Sequence, residues 1–236
     1  MCLGSDAVSH RVELSSSPSP NFGERRGALR PTLIVIHYTA MASCAEARQR
    51  LCDPVAEVSA HWLISEIGQV EALVDESLRA WHAGAGEWAG VADVNSQSIG
   101  IELANPGNHP FPEPQMFALE DLLRGIMARW AIAPQNVIAH SDMAPTRKRD
   151  PGARFDWRRL ALAGVSVWPD GPQADEAGFL PALRAVGYPD ASQADLLAAF
   201  RLRFRPWATG PLDAIDAGLA NDLAQRFAVD RIPLTA

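Results

Sequence analysis

Apolar positions along the chain group into short blocks whose spacing names the elements. Leu33-Ile34-Val35-Ile36 is unbroken and largely β-branched, the pattern of a strand covered on both faces, and it stops at His37. Ser98 to Leu103 alternates and reads as a second strand, closed by Asn105-Pro106-Gly107-Asn108. Val137-Ile138-Ala139 is a third, ending at His140. Residues 61–65 and 70–74 flank Glu66-Ile67-Gly68-Gln69, a hairpin signal. Between these blocks the period lengthens. Ser43 with Glu46 three residues on is a capping box, and the helix it opens must end by Pro54. Leu119, Leu122, Leu123, Ile126, Met127 and Trp130 recur at helical spacing and predict a helix over about 114–131. Strands and helices in this order predict an α/β fold, a central mixed β-sheet flanked by helices.

The ends of the chain differ from its middle. Residues 1–30, with Ser15-Ser16-Ser17-Pro18-Ser19-Pro20, carry no periodic pattern and are expected to form an irregular lead-in. The texture changes again at Trp168-Pro169-Asp170-Gly171-Pro172, taken as a linker. Beyond it the pattern is helical only, over about 175–186, from Ser192 (with Asp195 completing a capping box) to about 204, and over about 213–227. The division expected is thus a main domain over 31–170 and a small C-terminal three-helix domain over 172–236.

Charge and cysteine content narrow the partners. A net charge of −7 argues against nucleic-acid binding, which needs a dense basic surface. Cys44 and Cys52 fall on one helix, roughly 12 Å apart at the helical rise, too far to bridge. No apolar stretch approaches the length of a membrane span, and the first residues lack the apolar core of a signal peptide, so a cytoplasmic location is expected. Cys2 leaves a second possibility open, a trimmed outer-membrane lipoprotein or periplasmic protein. No obligate protein partner is evident.

Three polar residues stand out by position. His37 and His140 each follow an apolar strand, and Asp150 lies in Arg147-Lys148-Arg149-Asp150-Pro151-Gly152. Two imidazoles and a carboxylate make a suitable ligand set for Zn²⁺ with a fourth position open to water. By spacing alone, a histidine at a strand end is as readily structural, Glu102 a solvated carboxylate, and Lys148 one charge among Arg147, Arg149 and Arg154.

The wording of the segments adds a resemblance. Ile34-Val35-Ile36-His37-Tyr38-Thr39, Ser59-Ala60-His61-Trp62-Leu63-Ile64, Arg79-Ala80-Trp81-His82-Ala83-Gly84, Ser98-Ile99-Gly100-Ile101-Glu102-Leu103-Ala104-Asn105 and His140-Ser141-Asp142-Met143-Ala144-Pro145 through Asp150-Pro151-Gly152 resemble, in order, the zinc-dependent N-acetylmuramoyl-L-alanine amidases of the AmpD/AmiD type. These are relatives of a phage lysozyme and the peptidoglycan recognition proteins. The resemblance implies that residues 31–170 are the catalytic domain, with His37, His140 and Asp150 holding Zn²⁺, Glu102 as catalytic base and Lys148 facing the reacting carbonyl. It further implies a peptidoglycan or muropeptide substrate, cut between N-acetylmuramic acid and L-alanine. Trp81, His82, Asn95 and His61 are the candidate substrate-binding residues, with a core or supporting role the alternative for His61 and a turn for Asn95. The helical tail resembles a small peptidoglycan-binding domain at Leu183, Gly187-Tyr188, Ala199-Phe200, Arg203-Phe204 and Gly210. The alternatives are a peptidoglycan-binding module without catalysis and a zinc hydrolase of another amide. Retention of all three ligand residues with Glu102 and Lys148 favours the enzyme.

Overall fold

The computed structural model describes residues 14–28, 30–172 and 178–229. In chain order its strands are β1 (Leu14–Ser16), β2 (Phe22–Gly23), β3 (Leu33–Tyr38), β4 (Trp62–Ile64), β5 (Val70–Ala72), β6 (Arg79–Ala80), β7 (Ser98–Leu103) and β8 (Val137–Ala139). The α-helices are α1 (Cys44–Cys52), α2 (Val94–Gln97), α3 (Glu113–Trp130), α4 (His140–Met143), α5 (Trp157–Leu162), α6 (Phe179–Val186), α7 (Gln193–Phe204) and α8 (Ala214–Phe227). No described helix is long and apolar enough to cross a membrane.

Six strands form one mixed sheet in the order β1-β5-β4-β7-β3-β8. The β3 strand runs parallel to both β7 and β8, β4 is parallel to β7, and β5 turns back antiparallel to β4 as the hairpin pattern predicts. The helix signals hold as well. Ser43 Oγ accepts the Glu46 amide at 3.2 Å, Ser192 Oγ accepts that of Asp195 at 3.2 Å, and Asp213 caps α8 through the amides of Ile215 and Asp216. The expected start of the first C-terminal helix near residue 175 lies outside the described residues.

One expectation needs correction. The N-terminal segment is not irregular throughout, because β1 pairs parallel with β5 and β2 pairs antiparallel with β6. The ladder continues from Ser17 N–H to Ala72 O (3.0 Å) and from Ser19 N–H to Leu73 O (2.8 Å). These contacts are made by the backbone, so a serine- and proline-rich segment joins the sheet without any apolar alternation to announce it.

The pleat sorts most of the sheet residues into two cores, while Leu63 of β4 joins a third, smaller cluster with Ala47 and Leu51 of α1. Ile34, Ile36, Ile99, Ile101, Leu103, Val137 and Ala139 meet Leu119, Leu123 and Ile126 of α3 and Trp157 and Leu160 of α5. Leu33, Val35 and Ile138 point the other way and share one cluster with Phe179, Leu183, Phe200, Phe204 and Leu223 of the C-terminal helices. A fully buried side chain of this size is worth roughly 1.5–3 kcal/mol. The three C-terminal helices are therefore held to the sheet by far more than their linker. They cover one face of β3 and β8, and His37 and His140 lie on that same face by the two-residue period.

Candidate metal centre and active site

Parallel strands in register place their ends side by side. His37 on β3 stands opposite Glu102 on β7, and Ile36 stands opposite Ala139, the residue before His140. A crevice at the carboxyl ends of parallel strands is where open α/β sheets bind ligands. Asp150 arrives from the loop after α4. Arg147 and Lys148 N–H groups both bond Ala144 O, and the turn closes with Ser141 N–H donating to Asp150 O at 3.1 Å.

The loop brings three ligand atoms to one point. His37 Nδ1 and His140 Nδ1 are 2.9 Å apart, and Asp150 Oδ2 lies 2.9 Å from the first and 3.0 Å from the second. All three residues are buried, and they form the cluster of ligating side chains found among the described residues. Tetrahedral zinc with bonds of about 2.0–2.1 Å spaces its ligands by about 3.3 Å, close to this triangle. Burial, with the nearby His140 adding to it, pulls the His37 imidazole down to a pKa of about 4, so it is neutral at pH 7 and offers a lone pair. Burial opposes ionisation of Asp150, but without a metal an Nδ1 proton on His140 or His37 bonds its Oδ2 and holds the carboxyl well below the usual range, and a cation at the same point takes that proton's place. Electron-rich atoms at this separation repel unless a cation sits among them. The residues present fit a divalent metal.

The hydrogen bonds behind the two imidazoles set their tautomers. His140 Nε2–H donates to Ala83 O at 2.8 Å, which leaves Nδ1 free to ligate. Behind His37 the bonds form a directed chain. Ser98 Oγ–H donates to Val94 O (2.5 Å), so Ser98 Oγ accepts from His82 Nε2–H (3.2 Å). His82 Nδ1 then accepts from His37 Nε2–H (3.0 Å), and His37 Nδ1 faces the metal position. The ring of His82 lies over Gly100, where an added Cβ would come within 2.3 Å of it. Only glycine at the centre of β7 leaves this space.

Glu102 has a different environment. Its Oε2 is buried without a hydrogen-bond partner among the described residues. Burial raises its pKa to about 8, the charge of Asp150 adds to the rise, and Lys148 opposes it. An unpartnered carboxylate with a raised pKa beside a metal cluster is suited to proton transfer near neutral pH.

Glu102, Lys148 and the three ligating residues line one cleft of about 510 Å³, together with Trp81 and His82. Two candidates lie elsewhere. His61 is fully buried and outside the cleft; its Nδ1 accepts from Gly100 N–H (2.9 Å) and its Nε2 faces Leu78 O (3.1 Å), so both ring nitrogens serve the sheet. Asn95 is also buried, and its Oδ1 accepts the amides of His82 (3.1 Å) and Ala83 (2.8 Å), fixing the segment that supports both ligand histidines. Both therefore stand in supporting positions, the alternative left open for His61 from the sequence. Tyr38, Arg50, Arg147 and Arg149 also line the cleft without having been marked by the residue pattern, as Ser98 was not marked behind His82. Arg147 and Arg149 could have been sought as neighbours of Asp150 and Tyr38 as a neighbour of His37; Arg50 carried no signal.

The fold and site together define an α/β protein with a candidate metal centre at the carboxyl ends of its parallel strands. The sequence profile described as N-acetylmuramoyl-L-alanine amidase matches residues 27–153. Over 85% of each chain, this sequence is 35% identical to the N-acetylmuramoyl-L-alanine amidase AmiD of Escherichia coli K12. The crystal structure of AmiD in complex with the substrate anhydro-N-acetylmuramic acid-L-Ala-D-gamma-Glu-L-Lys superposes with a TM-score of 0.76 at 32% identity, covering 90% of this chain and 99% of that one. AmpDh3 of Pseudomonas aeruginosa, in complex with anhydromuramic pentapeptide, gives a TM-score of 0.75 at 30% identity, covering 97% and 100%. The chain belongs to the N-acetylmuramoyl-L-alanine amidase family and is of its AmpD/AmiD type.

Proposed function

We propose that this protein hydrolyses the amide between N-acetylmuramic acid and L-alanine in peptidoglycan fragments, using zinc held by His37, His140 and Asp150. The observation that carries the reading is the convergence of those three ligand atoms with the unpartnered Glu102 carboxylate on one cleft, in a chain of this family. Bound there, zinc supplies a Lewis acid for the scissile carbonyl and lowers the pKa of water. Glu102 takes a proton from the attacking water as its oxygen joins the carbonyl carbon, and returns it to the nitrogen as the C–N bond breaks. Lys148 donates to the oxygen on which negative charge develops. Trp81 and His82 flank the substrate in the cleft. The products are a sugar with a free lactyl carboxylate and a stem peptide beginning at L-alanine. The ligands named for AmiD and AmpDh3 are anhydro-muramyl peptides, and soluble fragments of that kind are the substrate expected here.

The test is a digest of anhydro-muropeptides and of purified sacculi, each with zinc or with chelator, read by mass spectrometry. Release of a peptide with L-alanine at its amino terminus, lost with chelator and restored by zinc, is the expected result. Zinc-loaded protein that releases nothing from either substrate would sink the hydrolytic reading.

The chain behind His37 makes its own prediction. His82→Leu removes the acceptor for His37 Nε2–H and is expected to weaken zinc binding roughly 10–100-fold. His82→Asn, whose Oδ1 can take the place of Nδ1, is expected to recover part of that loss. Chelator competition measures both, and wild-type affinity in His82→Leu would remove the relay from the account.

A further inference from the structure

The C-terminal helices do more than cover apolar surface, because they carry two polar side chains to the turn that presents His140. Asp142, on α4 two residues past His140, is fully buried. Its Oδ2 accepts from Ala139 N–H (2.9 Å) and from Arg203 Nη1 (2.6 Å), and its Oδ1 accepts from Tyr188 OH (2.7 Å). Arg203 belongs to α7, and Tyr188 follows α6. Arg203 also donates to Val137 O at the start of β8 (3.0 Å) and lies 4.3 Å from the centre of the Trp157 ring. The Tyr188 ring packs at a tilt of 58° against Trp88, with centroids 5.2 Å apart, and Trp88's neighbour Ala89 donates its N–H to Gly187 O at 2.8 Å. The strand before His140 and the turn after it are thus both gripped from the C-terminal helices. Rotating α4 away from this position breaks a buried, charge-assisted bond.

We infer that α6 and α7 position the ligand His140: Tyr188 and Arg203 clamp Asp142, and through it fix the β8–α4 turn. The inference rests on the proposed metal centre for its consequence, and on the turn alone for its geometry. It makes the helical segment part of the active site's framework, whatever else that segment binds.

The test uses the full chain. Tyr188→Phe removes one hydroxyl and leaves the packing; Arg203→Lys keeps the charge but cannot reach Asp142 and Val137 O together. Leu223→Ala, a truncation in the same core cluster that leaves the hydrogen bonds among Asp142, Tyr188 and Arg203 in place, serves as the control. In the metal-free protein, hydrogen exchange at the amides of Ala139 and Ser141 is expected to quicken roughly tenfold in the two clamp variants, and the zinc dissociation constant, by chelator competition, to rise by about the same factor. The control is expected to lower the melting temperature while leaving both readings as in the wild type. Wild-type exchange at Ala139 and Ser141 in the clamp variants would overturn the inference, and so would a control that moves them equally. A wild-type chain that binds no zinc would sink the metal centre instead, with the exchange comparison still deciding the clamp.

Discussion

Glu102→Gln is expected to keep its zinc and lose roughly 10²- to 10⁴-fold in turnover. The amide matches the carboxylate in shape and cannot accept the proton that attack by water releases. Glu102 is outside the triangle of His37, His140 and Asp150, so the metal has no reason to leave. The same residue sets the pH dependence. A general base works in its ionised form, so kcat/KM falls as the pH drops through the Glu102 pKa. Burial and the charge of Asp150 raise that pKa to about 8, while Lys148 opposes them. A bound dication adds positive charge that lowers it again. The acid limb is therefore expected between the ordinary glutamate value of about 4.3 and about 8, and absent from the residual activity of Glu102→Gln. Initial rates across pH on an anhydro-muropeptide, with elemental analysis of each protein, check both parts. A variant with ordinary turnover, or one that loses its zinc, would take Glu102 out of the assigned role.

Much of this was legible before any coordinates, and what was not has physical reasons. The run Leu33–Ile36 and the short Val137–Ala139 announced buried strands, and their ends at His37 and His140 pointed to one edge of a sheet. The helix caps at Ser43 and Ser192 were written in the spacing of side chains that bond their own backbone, while the cap at Asp213 emerged only from the structure. Strands β1 and β2 were invisible because backbone groups alone hold them. The periodicity of α6 to α8 said that each hides a face, without saying that Leu33, Val35 and Ile138 receive it. His61 and Asn95 show the same limit for polar residues. Their types allow substrate contact, and only the fold reveals that Gly100 and Leu78 face the two ring nitrogens of His61 and that His82 and Ala83 take Asn95 Oδ1. Asp142 passed as one more residue of a resembling segment, since its partners Tyr188 and Arg203 lie 46 and 61 residues away. Gly100 marks the opposite case. A glycine amid alternating strand residues asks for a close neighbour, and the ring of His82 answers it.

Asp150→Ala separates the metal from the chemistry, because its signature differs from that of Glu102→Gln. The Asp150 carboxylate is the only anion of the three ligating groups, and its Oδ2 closes the triangle at 2.9 and 3.0 Å from the two imidazole nitrogens. An aspartate carboxyl is ionised at neutral pH, so it offers a full negative charge to a cation there. Removing an outer partner of a ligand costs roughly 10–100-fold in affinity. Removing the charged ligand itself is expected to cost more, leaving protein that purifies without zinc and is inactive until zinc is supplied in large excess. Asp150→Asn keeps the volume and loses the charge, so it is expected to fall between Asp150→Ala and the wild type. The fold is expected to survive, since Ser141 N–H bonds the backbone carbonyl of residue 150 and not its side chain. Elemental analysis and chelator competition on the three proteins give the order. Full zinc occupancy in Asp150→Ala would mean that another group completes the site.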